Sequence, residues 1–89
     1  MDLETTYRKL KLLAREGRID EAENQLSDLL DGTDREAFKM AILFYDYVNT
    51  FEEEQLEEAG YSREEISEGI LAAAKLYGYD GMVGALLEQ

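Results

Sequence analysis

The sequence has no cysteine, no histidine and no proline, and it sets only 9 basic residues against 21 acidic ones. Without cysteine there is no disulfide framework and no thiolate metal site, and nothing points to an oxidising compartment, so a cytoplasmic protein is expected. Without histidine the usual general base and the commonest metal ligand are missing as well. Ser27, Ser62 and Ser67 then have no base to activate them, and no glycine-rich phosphate loop with its lysine occurs. The chain is therefore read as non-enzymatic and free of cofactors.

Long apolar runs are missing too. The longest, MAILFYDYV at 40–48, is broken by Asp46 and falls far short of the about 20 residues that cross a bilayer. The N-terminus, MDLETTYRK, lacks a basic segment followed by an apolar one, so no secretory signal is expected. Net charge is -12, with residues 1–50 at -4 and 51–89 at -8. Such a surface repels nucleic-acid phosphates and anionic lipid headgroups and attracts basic partners. Nucleic acid and membrane are accordingly excluded as partners.

What is present is helical. Eighty-nine residues suffice for one domain spanning 1–89. Gly17, Gly32, Gly60 and Gly78 each close an apolar run of helical period. Asp20 with Glu23, Thr33 with Glu36, Thr50 with Glu53 and Ser62 with Glu65 have the form of capping boxes, in which a short polar side chain and an acid satisfy each other's orphaned amides. Tyr61 before Ser62 and Ile66 after it have the spacing of a hydrophobic staple. These signals predict helices over about 3–16, 20–30, 34–49, 51–59 and 63–77, with a final short helix over about 80–87 that buries Met82, Val83, Leu86 and Leu87. The third is apolar on nearly every face and belongs in the centre. No run alternates as a strand does, so the fold class is all-α, a compact bundle of five to six short antiparallel helices.

The opening hairpin, GRIDEAENQL at 17–26, resembles the turn and second helix of a tetratricopeptide unit. An array needs the pattern again 34 residues on, yet Gly17 maps to Phe51 and Ala22 to Leu56. One tetratricopeptide-like hairpin is expected, not an array. Together with ILFYDYVN at 42–49 and LEEAGYSREEI at 56–66, the stretch resembles a family of small uncharacterised helical proteins of low-GC Gram-positive bacteria, a domain of unknown function. The resemblance covers most of residues 5–78 and implies no activity, cofactor or catalytic residue.

Candidate chemistry reduces to carboxylates, bases and tyrosines. Glu53 with Glu57 and Glu54 with Glu58 stand four apart on helix faces, but a di-iron site needs Glu-x-x-His pairs. A calcium loop around Gly32 would put Leu29 and Phe38 at oxygen-ligand positions. No metal is expected. Arg8, Lys11, Arg15 and Arg18 make a basic stripe with Lys9 beside it and no interleaved aromatic residue. Its simplest use is pairing along the helix, as in Glu4 with Arg8; the other is to meet the acidic 52–68 segment, within one molecule or across a dimer. Tyrosines suit both core edges and interfaces. Tyr47 and Tyr61, with Glu53, Glu54, Glu57 and Glu58, are the candidate partner-binding residues. The leading expectation is a domain working through protein contacts, as an adaptor or homo-oligomer. The other is an acidic mimic of nucleic acid that blocks a basic DNA- or RNA-binding protein.

Overall fold

A computed structural model describes residues 2–81 of the protein, as five helices: α1 (Leu3–Arg15), α2 (Ile19–Leu29), α3 (Arg35–Val48), α4 (Glu53–Glu58) and α5 (Arg63–Tyr77). There is no strand among the described residues, as the apolar periodicity predicts. Helical backbone resumes at Asp80 and Gly81; the rest of the expected last helix, with Met82, Val83, Leu86 and Leu87, lies outside the described residues.

α1 begins where Asp2 accepts the Glu4 amide at 3.1 Å and the Thr5 hydroxyl at 2.6 Å. It buries Leu10, Leu13 and Ala14 against Ile19, Ala22 and Leu26 of α2, so one apolar stripe on each helix makes the hairpin. α3 lies across both partners it packs on, α1 and α5, and buries Ala37, Met40, Ala41, Phe44, Tyr45 and Val48. Phe51, Leu56 and Tyr61 close the far end of this core around the six-residue α4. The described chain is a slab of 35 × 33 × 16 Å, in which α3 packs on both α1 and α5.

Of the four expected capping boxes, Ser62 with Glu65 forms in full: the Ser62 hydroxyl accepts the Glu65 amide and Glu65 accepts the Ser62 amide. The other three do not form, each for a local reason. Thr33 gives its amide and hydroxyl to Asp31, at 2.8 and 2.9 Å, and the cap passes to Asp34, which accepts from Glu36 and Ala37. Thr50 donates its hydroxyl back to the Tyr47 carbonyl at 2.6 Å. α2 starts one residue earlier than expected with Arg18 at its cap, so Asp20 sits inside the first turn, where its charge favours the positive helix end, and Glu23 turns to the interior. Ser62→Ala and Asp34→Ala should therefore each cost about 1 kcal/mol, while Asp20→Ala costs less. Thermal melts rank them, and an Asp20 variant as unstable as the Ser62 variant would contradict the assignment.

Gly32 sits in the middle of the α2–α3 connection with φ at +86°, and a Cβ there would stand 3.1 Å from the Leu76 carbonyl oxygen. The backbone of α5 thus approaches a left-handed turn that only glycine fills without strain.

Candidate functional site

The longest described helix, α5, packs on α3 with Gly69 directly over Tyr45. At Gly69 a Cβ would lie 2.5 Å from both Cε1 and the hydroxyl of Tyr45, so the absent side chain is what lets the helix descend onto the ring. A glycine inside a helix costs about 1 kcal/mol relative to alanine, and this close approach is its compensation.

Tyr45 lies beneath α5 with 4 % of its surface exposed, and its hydroxyl donates to Oε2 of Glu23 on α2 at 2.6 Å. Tyr61, equally buried, donates to the same oxygen at 3.0 Å. One carboxylate oxygen therefore joins α2, α3 and the turn before α5. Burial first, and then the Glu23 carboxylate, push both tyrosine hydroxyls well above their ordinary pKa of 10.0.

Two open clefts flank α5, one on each side of the Tyr45–Gly69 contact, and Tyr45 lines both. The α2–α5 cleft holds about 300 Å³ between Glu23, Ser27, Leu30, Ala72 and Leu76. The α3–α5 groove holds about 450 Å³; Ile42, Leu43, Ile66 and Ile70 form its apolar length, and Asp46 and Arg63 its polar end. Leu43 remains 52 % exposed beside it.

Arg63 fixes the corner where α3, α4 and α5 meet. Its Nη1 donates to the Asn49 carbonyl and to Asn49 Oδ1, both at 2.9 Å, its Nη2 to the Phe51 carbonyl at 2.6 Å, and its Nε to Glu53. A planar fork serves four acceptors at once, which an ammonium group cannot reproduce. Arg63→Lys should cost about 1–2 kcal/mol despite keeping the charge, read as a lower urea midpoint at unchanged slope.

The residues expected to bind a partner do not converge. Glu53 is taken by Arg63, whereas Glu54, Glu57 and Glu58 are exposed on α4 with no ion pair among the described residues. Tyr61 is corrected to a core residue, since its ring is buried and its hydroxyl is bound to Glu23. Tyr47 is half-buried, edge-on to Phe51 at 5.2 Å, and beside α1. There the Lys11 ammonium stands 4.6 Å from the Tyr7 ring centre and 5.6 Å from that of Tyr47. The basic stripe has no interleaved aromatic residue, but two aromatic rings lie against Lys11, because Tyr7 precedes the stripe on its helix and Tyr47 reaches it from α3. Glu4 and Arg8 do pair, at 2.8 Å.

Glu23, Tyr45, Gly69 and Arg63 were not singled out from the sequence as functional. Gly69, inside the apolar-periodic run of α5, was the signal that a neighbouring element approaches closely. Glu23 was hidden by its cap-like spacing from Asp20.

Among the described residues no group of three or more Asp or Glu is placed to hold a metal ion, and no helix is long and apolar enough to cross a membrane. Residues 1–78 match a protein family described as a family of unknown function, DUF6483. No curated protein and no solved structure matches the chain, so the tetratricopeptide likeness of the first hairpin gains no support.

Proposed function

We propose, from the premise that the chain belongs to this family of unknown function, that it is a small non-enzymatic cytoplasmic domain that works by holding a protein partner against α5. The observation that supports the reading is the pair of clefts meeting at Tyr45, one bearing the Glu23 carboxylate and the other an apolar length that ends in Asp46 and Arg63. An apolar groove between two helices, with a charged group at one end, is the form that accepts an amphipathic segment of another protein. Neither cleft favours catalysis: Ser27 lines one and Ser67 the other, and neither is offered a histidine.

The test is site-specific photo-crosslinking in the native cell, with the crosslinker at Leu43 or Ala72 on the clefts and at Lys9 on α1 as control. A discrete adduct from the cleft positions alone is expected, and Leu43→Asp should abolish it at the groove. An adduct of twice the chain mass would make the partner a second copy. Equal labelling from Lys9, or an adduct indifferent to Leu43→Asp, would sink the reading.

A second reading is supported by Glu54, Glu57 and Glu58, which stand exposed and unpaired among the described residues: a carboxylate array in place of phosphates, blocking a basic nucleic-acid-binding protein. Changing all three to Gln should then abolish the steep salt dependence of partner binding. If partner capture and its salt dependence were unchanged, the mimic would be excluded.

A further inference from the structure

Among the described residues, Glu23 is the one charged residue that lines the α2–α5 cleft, and no basic residue lines it. Its oxygens are unequally used. Oε2 accepts from both Tyr45 and Tyr61, which fills its two lone pairs, while Oε1 has no hydrogen-bond partner among the described residues. Two tyrosine rings hold the carboxylate in place, and the half-buried position limits the water that can screen it.

The rest of the cleft fits a cation carried on an apolar stem. Leu30, Ala72 and Leu76 line its sides, Gly69 and Ala73 keep its floor low, and the Ser27 hydroxyl offers a second acceptor near the carboxylate. Lys75 lines a different cleft, with Glu68, Leu71 and Asp80. Across the whole molecule the charge of -12 draws positively charged chains toward the surface.

We infer that the α2–α5 cleft is a binding site for a lysine side chain of the protein partner, with its ammonium on Glu23 Oε1 and the Ser27 hydroxyl and its four-carbon stem against Leu30 and Leu76. Arginine is disfavoured by the lone pairs. A guanidinium fork gains its strength by engaging both carboxylate oxygens, and Oε2 is already occupied. An ammonium needs one free oxygen and tolerates a hydroxyl as its next acceptor. The site names the partner chemistry at the clefts proposed above and so rests on that reading.

The experiment is an NMR titration of the full chain at constant ionic strength with N-acetyl-lysine N-methylamide, alongside its arginine and norleucine counterparts. The lysine probe should shift the amides of Glu23, Ser27, Gly69 and Ala72 saturably, the arginine probe more weakly, and the norleucine probe not at all. Glu23→Gln keeps an oxygen that can accept from both tyrosines, so it preserves the network while removing the charge; lysine affinity should fall about tenfold or more. Ala72→Leu fills the cleft without touching Glu23 and should have the same effect, which keeps the test decisive if the first variant misfolds. Absence of a saturable shift, equal binding of arginine, or lysine binding unchanged in both variants overturns the inference. Should the probe fail while crosslinking from Leu43 and Ala72 persists, lysine binding is wrong and the partner surface stands; loss of both removes the reading beneath it.

Discussion

Replacing Gly69 by alanine should destabilise the protein by about 2 kcal/mol, lowering the melting temperature by about 10 °C, although helix propensity alone argues for a gain of about 1 kcal/mol. The added methyl would overlap the Tyr45 ring, whose tip is fixed by its bond to Glu23, so either α5 lifts or the ring leaves its acceptor. The neighbour that must give way can be tested directly. Tyr45→Leu shortens the side chain beneath the helix, so the Gly69→Ala cost should shrink in that background and the pair should be non-additive by at least about 1 kcal/mol. A Gly69→Ala protein that melts higher than the parent would mean that α5 is not seated on Tyr45.

Replacing Glu23 by leucine should be more damaging still, about 3 kcal/mol, because two buried hydroxyls lose their acceptor together. Much of that penalty belongs to the orphaned hydroxyls. Adding Tyr45→Phe and Tyr61→Phe to the Glu23→Leu protein should therefore recover most of it, leaving an apolar contact in place of a polar one. Equilibrium urea unfolding of the parent, single and triple variants separates the alternatives, and a triple variant no more stable than the single one would show that packing, not the hydrogen bonds, sets the cost.

The same cluster sets the alkaline limit of stability. Burial and the Glu23 carboxylate keep both hydroxyls protonated in the folded chain, whereas the unfolded chain releases those protons around the ordinary value of 10.0. Above that pH the unfolded state binds fewer protons than the folded one, so stability falls as pH rises; below it the contribution is fully present. Tyr45→Phe with Tyr61→Phe should flatten the decline, read as urea midpoints on either side of pH 10.

Helix positions were legible because apolar period and glycine stops are local signals. Gly17, Gly32, Gly60 and Gly78 all carry positive φ, and α5 spans 63–77 as its cap and stop predict. The caps were less legible, since Thr33, Thr50 and Asp20 have the right spacing but their hydroxyls or backbone positions are claimed by Asp31, the Tyr47 carbonyl and an earlier helix start. The candidate site was hidden for a different reason. Tyr45 and Tyr61 lie 22 and 38 residues from Glu23 in sequence, and only the packing of the helices brings them to one oxygen. No periodicity along a single chain encodes that meeting. Tyr61 has both the spacing of a staple and the chemistry of an interface residue, and the staple matches its buried position.

Six residues are too few for a helix to persist alone in water, since isolated helices below about 12–15 residues are marginal. α4 owes its persistence to the burial of Leu56 and to what holds its start. Arg63, the first residue of α5, reaches the Asn49 and Phe51 carbonyls ahead of α4 and Glu53 at its start. Fraying of α4 therefore requires the start of α5 to let go, and the two become one unit of local unfolding. Amide hydrogens across 53–66 should exchange through a shared opening, so the most acidic segment of the chain is as long-lived as the contact that carries its single arginine.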